Sequence, residues 1–438
     1  MASSAEVAKR QNSKSGIASG NCDTLLRGNT RITKGMMAGH NPAQEAAIEI
    51  ASLMEPMLPP EGERQLEDLA IDLASKASAL AGQVNPVVQQ SIGTLVRSMN
   101  CCYSNLIEGH DTHPRDIDRA LAKNYAREPK RRALQLEAVA HIEVQTQIDE
   151  KKDDQHDPVS LDYILWLHRE FCQRLPQELL SLENPDTHEK IRMDPGELRA
   201  GDVAIGRHVP PSAAMLPDFL RRFADAYNPA NLSKLRQIIA VGAAHHRLLW
   251  IHPFYDGNGR VARLVSYATL HRLGIGSTLW SVARGLARNV NRYKELLTAA
   301  DEPRRNDVDG RGSLSQAALT EFSEFFLRAS INQVDFMASL LQPSELLRRI
   351  EIFIEDEIRA GRLPRGSYPV LRETVLAGNV DRGQARQLTG FQERMGRTVI
   401  SKLLKKGLLV SAGPKDPVHL GFPLDVVERW FPKLYPMT

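Results

Sequence analysis

The sequence predicts a mainly α-helical protein: a helical domain interrupted by a short β-hairpin flap, followed by a C-terminal winged helix. Three observations predict it. Apolar residues recur at three- and four-residue spacing over most of the chain from Pro42 onward. That period fails in one Gly- and Pro-rich stretch, Met193–Pro211. After Pro364 the texture changes to short helical segments followed by two short extended runs.

Taken in order, residues 1–41 are polar and Gly/Ser-rich and read as a disordered tail. The start has no apolar h-region, so it is not a secretory signal, and its Ser-rich basic character leaves an organelle transit peptide as the alternative. Asn41 followed by Pro42 suits an N-cap and first helical position. Helical spacing follows over Ala46–Leu53 and Leu66–Ala81, and Pro86 opens a helix running to Leu106, which Gly109 ends. A second helical block runs from Asp157 to Leu180. Within Met193–Pro211, alternation from Val203 to Val209 suggests a hairpin. Helices resume over Met215–Ala226, Leu232–Trp250, Arg263–Leu273, Ser313–Phe326 and Ser344–Ala360. The tail then offers Val370–Leu376, Gln384–Leu388 and Arg394–Leu404 as short helices, with Leu408–Ser411 and Val418–Phe422 as a two-stranded ribbon. These breaks divide the chain into 1–41, 42–150, 151–335 and 336–438.

With 438 residues, 42% apolar and 25% charged, the chain has the composition of an ordinary soluble multidomain protein. A net charge of +3 argues by itself for neither nucleic acid nor membrane, and no apolar run approaches the ~20 residues of a spanning helix. Cys22, Cys101, Cys102 and Cys172 have no metal-ligand spacing, which fits a reducing compartment, the cytoplasm.

The chemistry concentrates in His252-PFYDGNGRVA-Arg263. One helix ends before Pro253 and another begins near Gly259, so Gly257-Asn258-Gly259 sits at a helix N-terminus, where backbone N–H groups and the helix dipole favour an anion. Asp256 offers hard oxygens to a magnesium ion. Arg260 and Arg263 lie one turn apart and can reach one polyphosphate. His252, on the opposite rim, could take a proton from a hydroxyl. Phe254 suits the core, pinning the loop, and Tyr255 suits solvent or substrate. Alone, the Gly-Asn-Gly turn would be only a tight turn and the arginines a solvated face; the twelve residues together say more.

This run matches the HPFx[D/E]GNGRxxR motif and resembles the Fic (filamentation induced by cAMP) family. The resemblance implies a Fic-type fold and a protein adenylyltransferase that moves AMP from Mg-ATP to a Ser, Thr or Tyr hydroxyl of a target, and of itself. It implies His252 as the base, Asp256 as the magnesium ligand, Gly257, Asn258 and Gly259 as the anion hole, and Arg260 and Arg263 as β- and γ-phosphate ligands. Val203–Pro211 looks like the family's flap, which aligns a target main chain by strand addition, with Ile205, Gly206, Arg207 and His208 bordering the nucleotide. Tyr293 and Asp301 fall where relatives contact adenine, although Tyr293 equally suits a core position. His245 and His246 read as structural histidines.

Ser104-x-x-x-Glu108-Gly109 is similar to the family's inhibitory [S/T]xxxE[G/N] helix, placed upstream of the catalytic motif. Its glutamate would pair with Arg263 and withhold it from the γ-phosphate. Between Arg382 and Lys406, seven basic residues stand against Glu393 alone, so the third winged helix suits either DNA or a protein partner. A homodimer is left open. The alternatives to AMP transfer are AMP removal, transfer of another phosphate-containing group, and an ATP-sensing DNA-binding regulator.

Overall fold

The computed structural model describes residues 30–32, 50–183, 188 and 190–435. The expected helix start at Asn41-Pro42, and most of the N-terminal tail, lie outside these residues. One piece of that tail is strand β1, Thr30–Ile32.

The chain then folds as helices. Helix α1 (Arg64–Gln83) precedes α2 (Pro86–Ile107), whose N-cap Asn85 accepts a bond from Val87 N at 2.9 Å and whose first residue is proline. Glu108 is the C-cap of α2, and Gly109 follows at φ 83°. The His110 N–H returns to Asn105 O at 2.9 Å and Gly109 N–H to Leu106 O at 3.0 Å, a Schellman-type ending that only a residue tolerant of left-handed backbone closes without strain. Helices α3 (Pro114–Leu121), α4 (Pro129–Asp149) and α5 (Leu161–Cys172) follow.

A hairpin of β2 (Ser181–Glu183) and β3 (Lys190–Arg192) precedes β4 (Val203–Ile205). That first hairpin was not expected from sequence. Strand β4 turns through Gly206 at φ 60°, and Ile205 and His208 exchange backbone bonds at 2.9 and 3.0 Å. On its other edge β4 pairs antiparallel with β1, Thr30 opposite Ile205 and Ile32 opposite Val203.

Helix α6 (Leu216–Tyr227) leads to the central pair α7 (Lys234–Ile251) and α8 (Asn258–Arg272). Most of α7 and α8 is buried, as expected of helices packed against α1, α5, α6 and the helices that follow. These are α9 (Ala283–Arg288), α10 (Val290–Asp301), α11 (Gln316–Leu341) and α12 (Pro343–Arg359). Helix α11 runs fifteen residues past its expected end at Phe326, because Ser330, Val334, Met337 and Leu341 continue its buried stripe.

The C-terminal part is α13 (Ser367–Ala377), β5 (Asn379–Val380), α14 (Arg382–Leu388), α15 (Glu393–Lys405), β6 (Leu409–Val410), β7 (Val418–Leu420) and α16 (Leu424–Trp430). The expected two-stranded ribbon is a three-stranded antiparallel sheet ordered β5-β7-β6. This part rests on the main body: Gly378 lies against Asn85 and Val87 at the start of α2, and Arg284 donates to Lys433 O at 3.1 Å.

Candidate active site

The loop between α7 and α8 is shaped by two left-handed residues. His252 ends α7 at φ 50° and Gly257 caps α8 at φ 82°. For a histidine this conformation costs on the order of 1 kcal/mol or more, so the surroundings must hold it. Arg199 does so. It is buried, its Nε donates to His252 O at 2.8 Å, and its backbone N–H donates to Pro253 O at 2.9 Å. Asn258 closes the loop from inside, accepting from Phe254 N at 3.0 Å and donating to Phe254 O at 2.8 Å. Phe254 is fully buried and stacks on His168 with ring centroids 3.8 Å apart. Tyr255 is half-buried and packs against the hairpin residues Leu182 and Val203.

Burial, and then the charges of Arg199 and His208, lower the pKa of His252 to about 3, so its imidazole is neutral near pH 7. Asp256 accepts from Gly257 N at 2.6 Å. Burial raises its pKa, while Arg260 and the Gly257 N–H oppose the rise.

Both arginines of the motif point into the protein, and each is met by a carboxylate. Arg263 Nη2 lies 2.5 Å from Glu108 Oε1, and its Nε donates to Ser104 Oγ at 2.9 Å. The Glu108 carboxylate also crosses the N-terminal turn of α8, for a Cβ added at Gly259 would collide with Glu108 Oε1. Burial works against ionisation of Glu108, but Arg263 and Arg260 hold its pKa below the usual range. The structure thus brings Ser104 and Glu108 of α2 onto the loop, with Gly109 making the turn just after them.

Arg260 has a different partner. Its Nη2 lies 2.6 Å from Glu137 Oε2 on α4 and 3.2 Å from His110 Nδ1. Here too burial opposes ionisation, and Arg260 with His110 keeps the Glu137 carboxyl low. Sequence reasoning missed Glu137, His110, His168 and Arg199. Each is a lone polar residue far from the motif, and none carries a local pattern.

The flap joins the loop through polar bonds. Arg199 donates to Gly201 O at 3.0 Å and to Pro211 O, fastening both ends of the flap beside His252. His208 reaches Trp250 O at 2.8 Å, whereas Gly206 and Arg207 are exposed and Ile205 half-buried. Tyr293 is buried with its hydroxyl 2.7 Å from His245 Nε2, and it lies within the influence of Arg263 and Glu108. Asp301 lies 3.1 Å from His246 Nε2, and His245 is further bonded to Ser266 Oγ at 2.9 Å.

Residues 158–270, which hold the flap and the catalytic loop, match the family model described as Fic/DOC family. These residues are a Fic domain. The chain is 32% identical over 140 residues to a protein adenylyltransferase Fic of Drosophila willistoni, covering 30% of this chain and 28% of that protein. A second protein adenylyltransferase Fic, of Drosophila yakuba, is 25% identical over 225 residues, or 50% of this chain and 41% of that protein. The chain therefore spans less than half the length of these curated relatives. A solved Fic family protein of Desulfovibrio desulfuricans superimposes with a TM-score of 0.48 and 18% identity, over 84% of this chain and 98% of that one. Glu108 and Glu137, which hold the two arginines of the Fic domain, both lie upstream of the matched residues.

Proposed function

We propose that the protein transfers AMP from ATP to a protein hydroxyl, and that Glu108 holds it back until displaced. The observation that carries this reading is the seat of the Glu108 carboxylate, on Arg263 and across the turn at Gly259. An oxyanion already lies where a helix N-terminus and two buried guanidiniums favour negative charge. A triphosphate would compete for the same place. The relatives named protein adenylyltransferase support the choice of AMP.

In this reaction the target oxygen bonds to the α-phosphorus, the bond from that phosphorus to the bridging oxygen breaks, and pyrophosphate leaves. The neutral His252 imidazole accepts the hydroxyl proton. Arg260 and Arg263 neutralise charge on the β- and γ-phosphates, and Gly259 lets them approach the backbone. Ile205–His208 would border the nucleotide, with Tyr293 and Asp301 set deeper, towards adenine. Asp256 fits a magnesium ion, because burial raises its pKa and a cation would offset that cost. Among the described residues no group of three His, Cys, Asp or Glu side chains could hold a metal, so its other ligands would be phosphate and water oxygens. The bound ion would supply charge neutralisation on the leaving pyrophosphate.

Incubation with α-labelled or γ-labelled ATP and a cell lysate tests the reading. Label carried to protein from the α position alone, with the mass of one AMP, is expected. Label from the γ position, or a mass fitting another group, would replace it with a different transfer.

The C-terminal part suits a winged helix, and a second role in DNA contact has one observation in its favour. Arg382, Arg386, Arg397 and Lys415 line a cleft between α14, α15 and the β6–β7 connection. A filter-binding affinity that weakens steeply with salt supports this role, and a salt-independent one excludes it.

A further inference from the structure

Arg199 precedes the flap and lies outside the twelve-residue loop, and its side chain has no solvent exposure. A buried guanidinium ordinarily faces a carboxylate. Here Asp202 stands 3.8 Å away with a half-exposed side chain, too far for a hydrogen bond. The guanidinium donates instead to backbone carbonyls on three segments: His252 O at 2.8 Å, Gly201 O at 3.0 Å, and Pro211 O. The Arg199 N–H adds Pro253 O at 2.9 Å. A second tie runs in parallel, from the His208 ring to Trp250 O at 2.8 Å. The flap thus hangs on carbonyls of residues 250 and 252, and residue 252 bears the imidazole.

The conformation held this way is left-handed, φ 50° at His252. A histidine adopts it only under constraint. Release into the helical or extended region would redirect the Cα–Cβ bond and carry the imidazole away from its place. One planar fork serves the flap's start, its end and the base, which a lysine ammonium on a flexible stem does not reproduce.

We propose that Arg199 is a positioning residue for the transfer, tying the His252 backbone to both ends of the flap so that flap and base move as one body. The positioning role rests on the transfer reading above; the tie between flap and loop does not. Arg247 supplies the contrast. It is as deeply buried, on α7, and it too donates to backbone carbonyls, Pro56 O at 2.8 Å and Ala300 O at 3.2 Å, but these belong to neither flap nor loop.

The test uses the full chain in the Glu108→Gly background and two readouts. Arg199→Lys keeps the charge and loses the fork. Its labelling rate from saturating α-labelled ATP should fall by about 10- to 100-fold, as for a base displaced by about an ångström, with the ATP concentration for half-maximal rate unchanged. Arg247→Lys should lower the melting temperature and keep the labelling rate. Hydrogen exchange of the backbone at 201–211 should quicken by about 3- to 10-fold in Arg199→Lys and stay unchanged in Arg247→Lys, as for one net hydrogen bond lost at the flap. His208→Phe cuts the parallel tie from a half-buried position, and flap exchange should quicken there as well, which decides the tie even if Arg199→Lys does not fold. An undiminished rate in Arg199→Lys, or a raised ATP requirement with the rate intact, overturns the positioning role. An equal loss of rate in Arg247→Lys overturns it too, since general packing would then explain both. Unchanged flap exchange overturns the tie. No label on any protein from the Glu108→Gly parent, lysate included, defeats the transfer reading and the positioning role with it, while the exchange result still decides the tie.

Discussion

Arg260 and Arg263 are one helical turn apart on α8, yet their carboxylate partners are set differently. Glu137 projects from the middle of α4, its side chain 8% exposed, and His110 stands 3.5 Å from the same carboxylate oxygen. Glu108 is the C-cap of α2, its side chain 25% exposed, and the Gly109 turn follows it. A mid-helix carboxylate cannot leave without moving its helix, whereas a C-cap can fray at small cost. On the proposed reading the pair at Arg260 belongs to the scaffold and the pair at Arg263 is the latch. Both arginines are buried, and the partner of Arg263 is the one that sits at a helix end.

The largest expected effect bears on the loop that both pairs serve. His252→Ala should lower transfer by ~10²–10⁴-fold and leave ATP binding nearly intact, since in the proposed reaction the imidazole accepts a proton and the phosphates are held elsewhere. Retention of more than about a tenth of the wild-type rate would remove His252 as the base.

Next comes the contrast itself. Glu137→Ala leaves Arg260 buried without its counter-charge and should cost ~3–5 kcal/mol, read as a large fall in melting temperature. Glu108→Ala should cost less, because its carboxylate is a quarter exposed at a helix end and Arg263 keeps its bond to Ser104 Oγ. Equal melting shifts would erase the distinction between scaffold and latch.

The smallest effect is electrostatic. Burial lowers the pKa values of His141, His168 and His245 to about 3, 4 and 3. In the unfolded chain each returns to about 6.5, so unfolding takes up protons below that pH. Their contribution is fully present above about pH 6.5 and is lost as pH falls towards the folded values. The melting temperature should therefore drop from about pH 7 to about pH 5, and His168→Gln should flatten the drop. A flat profile in the wild type would contradict the burial of these rings.

What the sequence revealed follows the same division. The loop from His252 to Arg263 stood out because its residues are contiguous, and Glu108 because a local pattern carries it. Glu137 was not legible, and neither was the helix that bears it. The buried face of α4 includes Gln135, Glu137, His141 and Gln145, so no apolar stripe announces it. The contact with Arg260 spans 123 positions. Strand β1 was missed for a related reason: three residues in a polar tail become a strand only through the edge they meet. Tyr293 was placed from spacing alone, and its bond to His245 depends on the packing of α7 against α10.

The latch is tested most directly by self-modification with α-labelled ATP and magnesium, comparing wild type, Glu108→Gly and the Glu108→Gly/His252→Ala double variant. Freeing Arg263 from a competitor should raise the labelling rate of Glu108→Gly by roughly 5- to 150-fold, as for a coupling of ~1–3 kcal/mol, and the double variant should stay dark. A Glu108→Gly protein that labels no faster than wild type would contradict the latch, and a labelled double variant would contradict His252 as the base.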